Sequence, residues 1–172
     1  MNSALDRLRM LCVADVMTRN VVTLSSQQSI LDVARKFGLV PESALPFGKA
    51  QLYTGDTKTF YALASQLRIN AYFNLGTDQH AWRTWLATEG PILTRLDVDE
   101  TWDNATSTGG NLDVYKPLTT RGGHAVALAG YTADRFIVRN SWGTPWGDQG
   151  YGYASIAYAE AAFTEAYGIT VY

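Results

Sequence analysis

The sequence contains little cysteine, histidine or proline, and it lacks a long apolar run. Its 172 residues include one cysteine, two histidines and five prolines. A single cysteine excludes a disulfide within the chain, which fits a reducing compartment or a bacterial protein without bridges. Two histidines and one cysteine that are not closely spaced predict no metal site. The localisation therefore stays open, and the composition favours the cytoplasm or a bacterial source.

Charge of one sign is not concentrated anywhere in the sequence. Fourteen basic and sixteen acidic residues give a net charge of −2, and the basic residues form no stripe of the kind that nucleic-acid binding requires. The apolar stretches are far shorter than a membrane span. We therefore expect no nucleic-acid partner and no membrane partner, and nothing in the composition indicates a cofactor.

Apolar and aromatic residues are plentiful enough for a substantial core. Hydrophobic residues make up 47% of the sequence and aromatic residues 12%. A chain of this length fits one compact domain or two small lobes that share an interface. We predict a single domain over residues 1–172, with a helical lobe over about residues 1–70 and a β lobe over about residues 71–172.

The first part of the sequence predicts helices. One helix carries an apolar stripe at helical spacing, formed by Leu5, Leu8, Cys12 and Val16. A capping box at Ser25 and Gln28 begins a second helix, which ends at Gly38. A third helix begins near Asp56 or Thr57, and its inward side chains are expected to be Phe60, Leu63, Ala64 and Leu67.

The second part of the sequence predicts mainly strands. A short helix capped by Thr77 or Asp78 and ended by Gly90-Pro91 interrupts them. Thr101–Lys116 is polar and predicts a loop with one short strand. Glycines and aromatics in Trp146–Tyr153 predict a tight turn between strands. The strands are expected over Arg68–Leu75, Ile92–Leu96, His124–Tyr131 and Phe136–Arg139.

The most informative pattern is a histidine followed by an asparagine. His124 lies in Gly122-Gly123-His124-Ala125-Val126, and Asn140 begins Asn140–Tyr151, a run rich in glycine and tryptophan. An imidazole lowers the pKa of a nearby thiol and can later return a proton, while an amide oxygen fixes the orientation of the ring. Taken alone, His124 would be a strand histidine with its hydrogen bonds satisfied, and Asn140 a turn residue.

These motifs together resemble the papain family of cysteine peptidases. The ordered pattern is Gly-His-Ala-Val, then Gly-Tyr, then Asn-Ser-Trp-Gly-x-x-Trp-Gly-x-x-Gly-Tyr. The resemblance implies an α+β, two-lobe fold, in which an N-terminal helical lobe packs on a C-terminal antiparallel β-barrel-like lobe. It also implies hydrolysis of a peptide or protein substrate in a cleft between the lobes. Weaker similarity extends from about Ser3 to the end, at Leu24–Gln28, Gly38–Glu42, Pro46-Phe47 and Glu89–Ile92.

The resemblance also implies roles for single residues. His124 would be the acid and base, and Asn140 would orient its ring. Trp142 would cover the bond between them, Gly123 would support the site, and Ala125 would line the pocket for the substrate residue that precedes the scissile one. The other tryptophans are interpreted as core aromatics, and His80 as a surface residue.

The nucleophilic cysteine of the family has no counterpart at the matching position. Ser3–Asp6 resembles the stretch that follows it, so that cysteine would fall about two residues before Met1. Cys12 lies about 13 residues farther along the same predicted helix, roughly 20 Å away at 1.5 Å per residue. Its place in the apolar stripe favours a buried small hydrophobe. We therefore expect this chain to lack the nucleophile.

Three explanations stay open. The natural chain is longer and carries a cysteine upstream, or a partner segment supplies the missing N-terminal part, or the protein is an inactive pseudopeptidase that binds peptides or proteins. An acyl or amide transferase is a further alternative, because it would use the same Cys-His-Asn arrangement. The sequence does not separate a transferase from a hydrolase.

Overall fold

The computed structural model describes residues 30–41, 43–44 and 55–171. The predicted stripe of Leu5 to Val16 and the capping box at Ser25 lie outside these residues. The helices within them are α1 (Ile30–Phe37), α2 (Thr57–Ala64), α3 (Gln79–Thr88) and α4 (Ile156–Ala162). The strands are β1 (Ile69–Asn74), β2 (Ile92–Val98), β3 (Asn111–Leu112), β4 (Gly122–Tyr131), β5 (Arg135–Arg139), β6 (Tyr151–Ser155) and β7 (Phe163–Val171).

The chain divides into two compact units. The first comprises Met1–Tyr72 with Thr170–Tyr172, and the second is Phe73–Ile169. The division therefore falls within β1 and β7. All residues of the predicted site lie in the second unit. The arrangement of a single domain with lobes over about residues 1–70 and 71–172 stays a prediction.

The helices of the first unit begin and end through backbone geometry and caps. Gly38 ends α1 with a positive φ of 89°, and its N–H donates to the Ala34 carbonyl at 3.0 Å. Asp56 caps α2, where its side chain accepts from the Thr59 N–H at 2.9 Å. The prediction that Leu67 faces inward is wrong: its side chain is 49% exposed. The helix ends at Ala64, so Leu67 no longer continues the helical stripe.

A seven-stranded sheet in the order β1-β7-β2-β4-β5-β6-β3 accounts for the β part of the fold. β2 pairs antiparallel with both β4 and β7, and the short β3 pairs parallel with β6. Within the described residues the sheet is not closed into a barrel, because β1 and β3 form its two edges. The mixture of helices with a large antiparallel sheet confirms the predicted α+β class.

The core of the second unit lies under the central strands. Burial alternates along β2, as expected for a strand with one face on a core. Trp82 of α3 is fully buried and packs edge-to-face on Phe136 of β5, with ring centroids 5.5 Å apart. Each fully buried side chain of this size stabilises the fold by about 1.5–3 kcal/mol. The core therefore holds β4 and β5 firmly, and these strands carry the candidate site.

Candidate active site

His124 lies on the buried face of β4. It is directly opposite Leu96 of β2, and both side chains are buried. β4 pairs with β2 over Gly122–Leu128 and with β5 over Ala127–Tyr131, so the backbone at His124 is held in the sheet through β2. The imidazole therefore has little freedom to change its position.

Asn140 follows the last residue of β5 and is also buried. Its N–H donates to the Gly150 carbonyl at 3.0 Å, which fixes the backbone at this position. The side chains of the two predicted residues meet: Nε2 of His124 lies 2.8 Å from Oδ1 of Asn140. This is the distance of a good hydrogen bond.

The direction of this hydrogen bond follows from a neighbouring donor. The backbone N–H of Ser141 donates to the same Oδ1 atom of Asn140 at 2.8 Å, so this atom must be the carbonyl oxygen. Nε2 of His124 must then carry the hydrogen that it donates. In the neutral imidazole the lone pair is on Nδ1, the nitrogen that a proton donor would approach. The Nδ2 atom of Asn140 is buried and has no hydrogen-bond partner among the described residues.

Burial lowers the pKa of His124 below its ordinary value of 6.5, and the hydrogen bond to Asn140 opposes this effect. Burial is the larger of the two causes. The imidazole is therefore neutral at neutral pH and can accept a proton on Nδ1. A histidine in this state catalyses no reaction by itself, because a nucleophile must supply the proton that Nδ1 accepts.

Two tryptophans enclose the imidazole. Trp142 stacks on the His124 ring with centroids 4.9 Å apart and 30° between the planes, and the residue is 47% exposed. The buried Trp102 meets the same ring edge-to-face at 5.6 Å and 89°. Trp142 thus lies against the His124 ring, and its cover of the bond between His124 and Asn140 stays a prediction. The motifs around His124 and Asn140 do not mark Trp102 as a site residue, because it falls in the predicted loop Thr101–Lys116.

The predicted flanking residues face β2. Gly123 lies opposite Asp97, and the buried Ala125 lies opposite Arg95. A Cβ atom at Gly123 would meet the guanidinium group at the flexible end of the Arg95 side chain, which would have to shift to accept it. Arg95 pairs with Asp97 at 3.1 Å. Both side chains are 34% exposed, and an ion pair between partly exposed side chains contributes little stability.

The turn between Asn140 and β6 is built on glycines and on contacts of the loop that contains Trp102. Gly147 has a φ of 61°, and its N–H donates to the hydroxyl of Thr106 at 3.0 Å. Nε1 of Trp146 donates to the Trp102 carbonyl at 3.1 Å, and the two rings stack at 4.7 Å. These contacts hold the turn that follows Asn140 against Trp102, one of the two tryptophans that pack on the His124 ring.

The remaining predicted residues lie apart from the site. His80 is exposed on α3, and Cys12 lies outside the described residues, which contain no cysteine. Among the described residues, no three His, Cys, Asp or Glu side chains group as metal ligands would. None of the described helices is long and apolar enough to cross a membrane.

Comparisons with known proteins agree on the family. The sequence profile described as "Papain family cysteine protease" matches residues 19–169. Cysteine proteinase B of Leishmania mexicana is 28% identical over 116 residues, which cover 64% of this chain and 25% of that protein. Cathepsin F of Mus musculus is 29% identical over 109 residues, 59% of this chain and 23% of that protein. The matched part of the chain thus spans about a quarter of these relatives.

Solved structures show the same fold. Xylellain, a cysteine protease from Xylella fastidiosa, superposes with a TM-score of 0.71 at 23% identity, over 95% of this chain and 69% of that one. Procathepsin L 3 of Tenebrio molitor gives a TM-score of 0.61 at 18% identity, over 93% of this chain and 54% of that one. Identities this low show the fold alone, and they confirm the papain-like fold that the sequence predicts. With a profile match over residues 19–169, the chain belongs to the papain family of cysteine proteases.

Proposed function

We propose that this chain contributes the acid and base, with the residues that orient it, to a cysteine peptidase site acting on a peptide or protein substrate. The observation that carries the proposal is the 2.8 Å hydrogen bond from Nε2 of His124 to Oδ1 of Asn140. It leaves Nδ1 unprotonated in the neutral ring. A base with its lone pair held in one direction is what activation of a thiol requires.

In the proposed reaction, Nδ1 of His124 first takes the proton of a thiol. The sulfur then attacks the carbonyl carbon of the substrate, and the carbon–nitrogen bond breaks as the leaving amine takes the proton from Nδ1. Water then attacks the carbonyl carbon of the resulting thioester while it gives a proton to Nδ1 of His124. The carbon–sulfur bond breaks, the acid product leaves, and the sulfur takes the proton back from His124. Asn140 holds the ring through both proton transfers, because its oxygen also accepts from the imidazolium form.

The other predicted residues have supporting roles in the proposal. The stacked Trp142 ring shields the bond between His124 and Asn140 from water on its exposed side, which strengthens the bond. Gly123 leaves room for the Arg95 guanidinium beside the strand. Ala125 would line the pocket for the substrate residue that precedes the scissile bond.

The thiol is the component that the described residues do not contain. In the proposal it comes from residues upstream in a longer natural chain or from a partner segment, and Cys12 has a packing role. A Cys12→Ala variant tests this assignment separately from the role of His124. It removes the only thiol of this sequence and changes nothing in the described site.

The test uses the natural protein purified from its source cells, together with variants expressed with the same N terminus. Mass-spectrometric sequencing of its N terminus finds any upstream cysteine, and hydrolysis of a fluorogenic peptide is measured before and after iodoacetamide. We expect hydrolysis that alkylation abolishes, that survives in Cys12→Ala, and that falls by about 10²–10⁴-fold in His124→Gln. Asn140→Ala should fall less, by roughly 10- to 150-fold, since one hydrogen bond to a charged group is worth about 1.5–3 kcal/mol.

Other results would select the alternatives. Peptide binding without hydrolysis, in a natural protein whose N terminus carries no upstream cysteine, would support a pseudopeptidase. New amides formed in the presence of an added amine would support an acyl transferase. Hydrolysis that disappears in Cys12→Ala would make Cys12 the nucleophile and would overturn its proposed packing role.

A further inference from the structure

Trp102 connects the imidazole to a buried polar group deeper in the second unit. Its indole lies edge-to-face with His124, and also with Trp142 at 5.6 Å. Its only polar side-chain atom, Nε1, donates to the hydroxyl of Tyr158 on α4 at 2.9 Å. Both side chains are fully buried. Any rotation of the indole away from His124 would therefore break a buried hydrogen bond.

The Tyr158 hydroxyl is itself fixed by a carboxylate. Having accepted from Trp102, it donates its own hydrogen to Oδ1 of Asp99 at 2.7 Å. A carboxylate only accepts and an indole N–H only donates, so every hydrogen in the series Trp102, Tyr158 and Asp99 has one possible place. Burial and the bond to Asp99 raise the pKa of Tyr158 far above its ordinary range, so the phenol keeps its hydrogen.

Asp99 is fully buried and satisfies its charge with further donors. Its Oδ2 accepts from the Lys116 N–H at 2.7 Å and from the Thr101 hydroxyl at 2.8 Å. Burying a carboxylate is costly even when it is bonded in this way, and an apolar residue would fill the space with less penalty. The arrangement therefore costs free energy that a purely structural core residue would not require.

We propose that Asp99 and Tyr158 are positioning residues for His124. Their hydrogen bonds fix the Trp102 indole, and the indole edge holds the imidazole against Trp142 in the orientation that its bond to Asn140 needs. The inference rests on the proposed function for its catalytic meaning, but the geometry that it describes can be measured without substrate or thiol.

Other charged groups on the elements around His124 are engaged elsewhere. On β2, Asp97 pairs with Arg95 at 3.1 Å. Arg139, at the end of β5, lies over the Tyr151 ring at 4.7 Å. Near Trp102, the charged pairs are Asp103 with Arg121 at 2.8 Å and Glu100 with Lys116, whose atoms are 2.6 Å apart. The buried charge linked to the imidazole through Trp102 is that of Asp99.

The test is a Tyr158→Phe variant of the full chain, studied by NMR. The change removes one hydroxyl and keeps the ring. We expect the Trp102 indole N–H signal to move and the His124 titration to shift to higher pH, because a loosened indole admits water and burial holds this pKa down. The Asp99 carboxylate, having lost a hydrogen-bond donor, would also raise the pKa of His124, because its negative charge favours the imidazolium form. A His124→Gln spectrum assigns the ring signals.

Tyr115→Phe is the matched control. The Tyr115 ring packs edge-to-face on Tyr158 at 5.8 Å, but its hydroxyl bonds to Thr120 at 2.9 Å, outside the series. The Tyr115→Phe change removes a hydroxyl oxygen from a neighbouring ring, as Tyr158→Phe does, and should leave the His124 titration where it is in the unmodified chain. An equal shift in both variants would overturn the proposal, since any loss of packing would then suffice.

Two further results would also contradict the inference. One is an unmoved Trp102 signal in Tyr158→Phe, and the other is a moved signal with an unchanged His124 titration. If Tyr158→Phe does not fold, Thr101→Val takes its place, because it removes a partly exposed hydroxyl whose nearer acceptor is Asp99 Oδ2 at 2.8 Å, against 3.1 Å for the Val114 carbonyl. The same upward shift is then expected, and its absence overturns the inference. None of these results depends on whether the protein cleaves peptides.

Discussion

At the scale of single residues, the site depends on which nitrogen of His124 holds the hydrogen. Ser141 and His124 both donate to Oδ1 of Asn140, each at 2.8 Å. The amide therefore cannot rotate by half a turn without placing its NH₂ group against two donors. The backbone of Ser141 thus determines the chemistry of the imidazole, although its side chain takes no part.

The lowered pKa of His124 predicts a pH-dependent stability. The unfolded chain takes up a proton on this residue near its ordinary pKa of 6.5, whereas the folded chain takes it up only at lower pH. The stabilisation from a neutral, buried ring is complete above that value and is lost as pH falls through the folded-state pKa. Between about pH 7.5 and about pH 5, the urea midpoint should fall more steeply in the unmodified chain than in His124→Gln.

The control for this comparison is His80→Gln, which removes the exposed histidine of α3. Carboxylates that titrate in the same range contribute equally to the unmodified chain and to both variants. The difference between the urea midpoints of a variant and the unmodified chain, followed against pH, therefore reports the histidine that the variant lacks. Equal slopes for the unmodified chain and His124→Gln would show that burial does not hold the ring neutral.

The sequence predicts the pair of His124 and Asn140, but not the rest of its surroundings. The pair is marked by a motif with fixed order. Trp102, Asp99 and Tyr158 have no such mark, because the segment of Asp99 and Trp102 meets Tyr158 only when two segments distant in the sequence fold together. From the sequence, Trp102 is interpreted as a core aromatic, but its edge-to-face contact with His124 depends on long-range packing.

At the scale of elements, the turn between β5 and β6 brings the two ends of the Asn140 segment together. The Gly150 carbonyl accepts from the Asn140 N–H at 3.0 Å, and the Asp148 N–H donates to the Tyr151 carbonyl at 2.9 Å. The turn passes through Gly147 with positive φ, a backbone conformation that favours glycine. The position of Asn140 thus depends on the conformation of this turn.

A Gly147→Ala variant tests this dependence, with Gly109→Ala as the matched control. The two glycines have nearly the same φ, 61° and 64°, but a Cβ at Gly147 would collide with the Tyr151 carbonyl, whereas Gly109 faces open space. Both variants should lose about 1–2 kcal/mol through the left-handed backbone. Gly147→Ala should lose a further 1–3 kcal/mol or so through overpacking.

Urea unfolding of the two variants measures this difference. Equal losses of stability would mean that the turn can move to accept the methyl group, and the backbone contact would then not hold Asn140 in place.

Predictions of elements succeed where a pattern is local. The β2, β4 and β5 strands and the Asp78 cap of α3 follow from composition and from turn residues. The sequence alone does not predict α4, because a segment of seven residues is too short to form a stable helix by itself. It becomes a helix because Ser155 caps it, accepting from the Tyr158 N–H, and because Tyr158, Ala159 and Ala162 are buried.

At the scale of the whole molecule, the α+β class and the papain family follow from the sequence because one long motif covers much of the β part. The openness of the sheet does not follow from it. Strand predictions specify residues but not closure, which depends on how the edge strands pair. The edges here are β1 and the two-residue β3.

The central claim is that His124 is a neutral base with its hydrogen on Nε2 and its lone pair on Nδ1. The most direct test is the ¹⁵N NMR spectrum of the two ring nitrogens in the full chain, above the His124 titration. We predict a protonated Nε2 and an unprotonated Nδ1, and loss of this preference in Asn140→Ala, which removes the acceptor. A protonated Nδ1 in the unmodified chain would contradict the claim, because the ring could not then take a proton from a thiol at that atom.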